Sequence, residues 1–221
     1  MSEPVEIGYF DPTEGVEQTQ RYLPHWFQPN VAIFVTFRTV DSLPKEVVRR
    51  WHEEQRAWLG DHGWPIHSND ELPDWKDLPL TLQGAFHKLR TSRWHWHLDS
   101  CHGKCELRKR ELAEIVMSSL RHFDGERYDL DRAIVMPNHV HLLVQFRPGT
   151  TCRQQCESWL HYTAWQINKI LGRKGAFWQG EPFDHLVRSV EQFVYLQRYI
   201  AENGIRAKLP ESDYLFWMRS S

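Results

Sequence analysis

Residues 130–146 read LDRAIVMPNHVHLLVQF. Two apolar runs, 130–136 and 139–146, are separated by Pro137-Asn138, and that break predicts a β-hairpin. Side chains alternate faces along a strand. Val140, Leu142, Val144 and Phe146 therefore share a face suited to a core, and His139 and His141 share the other. Their Cβ atoms should lie roughly 6–7 Å apart from the strand rise. Two imidazoles so placed can grip one metal ion or one phosphate. A bare H-x-H motif is short and usually carries no role. In the middle of an apolar hairpin, however, polar side chains need a reason.

Working upstream, VAIFVTFRTV (31–40) predicts a strand, and Ser42-Leu43-Pro44 opens a helix over about 45–59 with Val47, Val48, Trp51 and Trp58 near one face. A second helix spans 107–123, striped by Leu112, Ile115, Val116, Ser119 and Leu120 and closed by Asp124-Gly125. Downstream come a helix over about 151–172, a short strand at 183–189, and a helix over 189–203 with Ser189 as N-cap and Gly204 as terminator. Residues 60–105 mix Gly, Pro, Asp and Trp without a long periodic segment and are read as an insertion. Residues 1–29 form a lead-in, 30–209 the main domain and 210–221 a C-terminal tail. This order predicts an α+β fold, an antiparallel sheet with helices on one face.

The 221 residues suffice for one sizeable core, and 41% hydrophobic with 25% charged residues is ordinary for a globular chain. The net charge of −2 hides an asymmetry. Residues 1–100 carry 10 Lys+Arg against 15 Asp+Glu, giving −5, whereas 101–221 carry 17 against 14, giving +3. A polyanionic partner is expected on the second half. MSEPVEIGYFDPTEG at the start lacks the marks of a signal peptide, and no apolar run is long enough for a membrane span. With only four cysteines, Cys101, Cys105, Cys152 and Cys156, a reduced cytoplasmic protein that does not engage membranes is expected. The stretch WHWHLDSCHGKC (94–105) holds His95, His97, Cys101, His102 and Cys105, ligand types of zinc. Their spacing fits no common finger, so zinc is not expected there.

On a helical wheel of 189–203, Phe193, Leu196 and Ile200 form the core stripe, and Gln192, Tyr195, Tyr199 and Asn203 share the adjacent flank. Tyr199 and Asn203 are one turn apart. A tyrosine at a core edge is ordinarily packing, and periodicity does not separate Tyr195 from Tyr199.

MPNHVHLLV (136–144) followed by YIAEN (199–203) resembles the HUH single-tyrosine transposases, and more specifically the REP-associated tyrosine transposases. The resemblance spans about 31–44 and 106–209, including FVTFRTVDSLP (34–44), SWLHYTAWQINKILGRKGAFWQGEPFDHLVRS (158–189) and EQFVYLQRYIAENGIRAKL (191–209). It implies the ferredoxin-like HUH endonuclease fold and a DNA-transposition activity: metal-dependent nicking and strand transfer of single-stranded DNA through a 5′-phosphotyrosine, at palindromic hairpin repeats. By the same resemblance Tyr199 is the nucleophile, and His139, His141 and Asn203 hold Mg²⁺ or Mn²⁺. Where relatives have Asn-Pro this chain has Asn203-Gly204, a departure expected to affect mainly the helix end. The chemistry suits the residue types. A phenol with a pKa near ~10 needs a metal or a cation beside it to attack as phenolate. A phosphotyrosine conserves the ester for rejoining without ATP.

For gripping single-stranded or hairpin DNA the expected contacts are Arg153, Lys169, Arg173, Lys174, Arg188 and Arg198, with Trp165 and Trp178 as stacking platforms. The chain is expected to act as a monomer or homodimer. Two rival readings remain. One is a non-catalytic hairpin-binding protein that keeps the transposase fold. The other, an unrelated metallohydrolase using H-x-H, lacks a carboxylate ligand or base in the hairpin.

Overall fold

The computed structural model describes residues 6–20, 24–67 and 71–220. Its chain divides into two units, Met1–Val40 with Cys105–Ser221, and Asp41–Lys104. The first is built on five strands: β3 (Ala32–Arg38), β4 (Tyr128–Val135), β5 (His139–Phe146), β6 (Phe183–Leu186) and β7 (Leu215–Met218). They stand in the order β6-β3-β5-β4-β7, and every neighbouring pair is antiparallel. With α3 (Arg110–Arg121) between β3 and β4, and α4 (Cys152–Ile170) between β5 and β6, strands β3 to β6 make the βαββαβ order of a ferredoxin-like fold. The expected α+β class and antiparallel sheet are what the molecule has.

α3 buries Leu112, Val116 and Leu120, and α4 buries Trp159 and Ile167, against Ile33, Val35, Phe37, Val140, Leu142 and Val144 of the sheet. Thr151 and Gln154 form a capping box that starts α4. The Tyr128 hydroxyl donates to the Leu120 carbonyl (2.8 Å) and accepts from Trp159 Nε1 (3.3 Å), tying α3, β4 and α4 together. A bulge in β4 between Leu130 and Arg132 lets Leu130 and Ala133, three apart in sequence, share this core.

The helices, expected on one face, occupy both. α5 (Val190–Arg206) packs Phe193, Leu196, Tyr199 and Ile200 on Ala32, Phe34, Ile134 and Leu143, residues that alternate with those beneath α3 and α4. The reason lies in β3, whose AIFVTF run is buried on both sides and needs cover on both. Two other expectations change. The segment expected as a tail, 210–221, contains β7, which pairs with β4 as the sheet's edge. Gly204 does not end the last helix, which continues to Arg206. A Cβ at Gly204 would fall 2.3 Å from the Tyr214 ring, so glycine serves a close approach there.

In the lead-in, β1 (Glu17–Gln20) and β2 (Pro24–Phe27) form an antiparallel hairpin. His25 of β2 bonds Asp184 of β6 through Nδ1 and Glu181 through Nε2 (2.7 Å). Chiefly the hydrogen bond to Asp184 raises the His25 imidazole to about 9.

The second unit spans 41–104 rather than 60–105, because α1 (Lys45–Asp61) shares a core with α2 (Leu80–Asp99). Leu59, Leu78 and Phe86 are its fully buried centre. α2 was not expected: LTLQGAFHKLRTSRWHWHLD scatters apolar residues around the helix without a stripe. Among the described residues no helix is long and apolar enough to cross a membrane. None of the four cysteines forms a disulfide. Cys105 belongs to the first unit, the side chain of His95 lies outside the described residues, and His97, Cys101 and His102 do not gather into a metal-binding group.

Candidate functional site

The tight connection Met136-Pro137-Asn138 is held on all sides by backbone bonds. Met136 N–H donates to the His139 carbonyl (2.8 Å), Leu107 N–H to Pro137 (3.1 Å) and Thr39 N–H to Asn138 (2.8 Å). Proline, with no N–H of its own, suits a position where only its carbonyl is used. This anchoring fixes the register of β5. Thr36 stands opposite His141, and Arg38 opposite His139.

As the alternation predicts, Val140, Leu142, Val144 and Phe146 enter the α3/α4 core. His139 and His141 point to the α5 side, where both are fully buried. Their ring centroids are 4.6 Å apart, and a ring nitrogen of each lies within 4.8 Å of one on the other. His139 Nδ1 is 2.8 Å from Asn138 Oδ1, and His141 Nδ1 is 2.7 Å from Thr36 Oγ1. On its far side, His141 Nε2 is 3.4 Å from the Tyr199 hydroxyl. Phe34 stacks on His141 with centroids 5.3 Å apart and meets Tyr199 edge-on at 6.0 Å.

α5 thus separates the two phenols that periodicity left equal. Tyr199 is 5% exposed and lies against His141, whereas Tyr195 is 60% exposed, its ring 6.4 Å from that of Tyr199. Asn203 follows one turn later on the same buried face of α5. Ser189, whose side chain accepts from Gln192 N–H, starts the helix that carries them.

Two cations that the sequence reading passed over border this group. The Arg206 guanidinium sits 5.4 Å from the Tyr199 ring centre. Arg38 shares the sheet face of the histidines, and although burial draws it down to about 10 it stays cationic near neutrality. Thr36 and Asn138 were passed over too. A signal existed for Thr36, a lone hydroxyl inside an otherwise apolar strand.

The expected DNA contacts scatter. α4 lies across the sheet from the histidines, so Arg153, Trp165 and Lys169 are on the opposite layer. There Trp165 is 57% exposed with the Lys169 ammonium 5.6 Å from its ring, and Arg153 pairs with Glu157 (3.1 Å). Arg173 bonds Asn168 and covers Phe177, and Lys174 is exposed beside it. Trp178 is no stacking platform. It is buried, meets Phe37 edge-on and donates from Nε1 to Thr163 Oγ1 (2.8 Å), because the segment after α4 folds back onto the core. Arg188 and Arg198, both exposed, are on the α5 side.

The donor set suits a divalent cation. The Asn138 oxygen can only accept, so the neutral His139 ring carries its proton on Nδ1 and presents a lone pair at Nε2. An imidazole whose second nitrogen is engaged in this way is the usual form of a metal ligand. Asn203 could add a carbonyl oxygen.

No protein-family model matches the chain, and no curated protein does. Among solved structures, a REP-associated tyrosine transposase bound to a REP hairpin is similar over 86% of this chain and 73% of that one, with 12% identity and a TM-score of 0.41.

Proposed function

We propose that this chain nicks and rejoins single-stranded DNA, with Tyr199 as nucleophile and hairpin-forming repeats as substrate. The observation that carries the reading is the Tyr199 hydroxyl lying 3.4 Å from Nε2 of His141, within a buried histidine pair. The sequence resemblance to REP-associated tyrosine transposases supplies the substrate class.

In this reading the Tyr199 oxygen attacks the scissile phosphorus and loses its proton. The bond to the 3′ oxygen breaks, that oxygen takes up a proton, and the chain retains the 5′ phosphate as a phosphotyrosine. Reversal by another 3′-hydroxyl rejoins the strand. His139, His141 and the Asn203 side-chain oxygen would hold a divalent cation, whose Lewis acidity would polarise the phosphate. Two imidazoles and one amide oxygen suit Mn²⁺ better than Mg²⁺, which prefers oxygen ligands. Arg38 and Arg206 would add positive charge beside the phosphate and the phenolate.

One observation favours the rival reading, a hairpin-binding protein that does not cut. Tyr199 is 5% exposed and both imidazoles are fully buried, so a phosphate reaches them only if the site opens. An adduct assay decides between the two. Hairpin strands labelled at either end are incubated with protein and Mn²⁺ and run under denaturing conditions. Only the 3′-labelled fragment should stay attached to wild type and to Tyr195→Phe, and neither fragment to Tyr199→Phe. Tight hairpin binding with no adduct and no cleavage would leave the binding protein standing instead.

A further inference from the structure

We propose that Thr36 and Asn138 are positioning residues, which hold the proton of each histidine on Nδ1 so that each Nε2 keeps its lone pair, that of His141 facing the Tyr199 hydroxyl. The inference deepens the site proposed above and rests on that reading only for what those lone pairs then do.

For His139 the direction follows from the partner. An amide oxygen has no proton to give, so at 2.8 Å the ring must donate. For His141 two arrangements are open on paper, because a hydroxyl flanks each nitrogen: Thr36 Oγ1 at Nδ1 (2.7 Å) and the Tyr199 hydroxyl at Nε2 (3.4 Å). A phenol, with a pKa near ~10, is far more acidic than an aliphatic hydroxyl and is the better donor to a ring nitrogen. Tyr199 therefore donates, Nε2 accepts, and the proton of His141 sits on Nδ1 toward Thr36. The two rings then match.

The local structure explains why these residues can do this. Thr36 is the cross-strand neighbour of His141 in the β3–β5 register, and its buried hydroxyl meets that ring at hydrogen-bond distance. Asn138 precedes its histidine directly, and its backbone is pinned by Thr39, so its side chain has little freedom to leave. A threonine on an otherwise apolar strand and an asparagine in a fully buried turn are costly choices unless their polar atoms are used. Outer partners of this kind typically change metal affinity by about 10–100-fold.

The test is Thr36→Val, a near-isosteric change that a strand accommodates, with Thr36→Ser as the conservative control. Imidazole ¹⁵N spectra of the metal-free protein read the tautomer directly. Wild type and Thr36→Ser should show Nδ1 protonated on both rings, and in Thr36→Val His141 should shift toward the Nε2-protonated form. Mn²⁺ affinity, measured by titration on the same samples, should fall about 10–100-fold in Thr36→Val and recover in Thr36→Ser. A wild-type His141 protonated on Nε2, or a Thr36→Val protein with unchanged spectra and affinity, overturns the proposal. Wild type with the expected spectra but no Mn²⁺ affinity would instead sink the metal site of the functional reading and leave the tautomer assignment intact.

Discussion

The two faces of the five-stranded sheet are made by alternate residues of the same strands, yet they hold opposite chemistries. Beneath α3 and α4, Ile33, Val35, Phe37, Val140, Leu142 and Val144 meet Leu112, Val116, Leu120 and Trp159 in an almost wholly apolar layer. Beneath α5 the contact is split. Ala32, Phe34 and Leu143 seat Phe193, Leu196 and Ile200, whereas Thr36, His139 and His141 lie on the same sheet face, where His141 meets Tyr199. A buried polar group without a partner costs roughly 1–3 kcal/mol, so the second face retains its imidazoles only because neighbouring side chains bond them. The difference teaches a division of labour: one face is an apolar core, and the other combines apolar packing with a buried histidine–tyrosine cluster.

The sharpest way to break that comparison is to damage each face separately. His139→Ala with His141→Ala should remove cleavage of single-stranded DNA while circular dichroism shows a folded protein. Trp159→Ala should cost about 3–5 kcal/mol in urea unfolding, as large core truncations do, with the protein that remains folded still forming the Tyr199 adduct. A double histidine variant that cuts normally would end the assignment of the second face. A Trp159→Ala protein that is folded yet inactive would end the division itself.

A smaller effect is expected where α5 meets the C-terminal segment. In Gly204→Ala the new Cβ would stand 2.3 Å from the Tyr214 ring, and a rigid aromatic can yield only by moving. A loss of about 1–3 kcal/mol is expected in thermal or urea unfolding. Unchanged stability would mean that the tyrosine ring shifts freely and that the α5 layer is looser than the opposite one.

The smallest effect concerns the sheet's β6 edge, where His25 bridges Asp184 and Glu181. Its folded value, about 9, lies above the ordinary 6.5, so its contribution is complete below 6.5 and fades as pH climbs toward 9. The unfolding temperature of wild type should therefore decline over that window more than that of His25→Gln. Parallel curves for the two proteins would show that the ion pairs are not formed in solution.

Strong periodicity was readable from the residues alone. The hairpin of β4 and β5, the stripe of α3, the cap of α5 and the facing of His139 and His141 follow from spacing, because each depends on neighbours close in sequence. α2 was not readable. Its aromatic and basic residues obey no single stripe, and its burial of Phe86 depends on Leu59, far away in α1. Trp178 failed for a related reason: composition reports that a tryptophan is present, and only the fold decides that Phe37 and Thr163 enclose it.

By itself, then, the sequence determined the strongly periodic elements, their amphipathic faces and a short list of candidate polar side chains, since these are set by local sterics and a period of 2 or 3.6. The tertiary structure decided which of them meet. It set α5 on the face opposite α3 and α4, brought the Tyr199 hydroxyl to His141 while leaving Tyr195 exposed, and placed Thr36 behind the imidazole. No spacing rule contains those facts. They come from strand register and from which apolar surfaces cover one another, and both are settled only when distant segments pack.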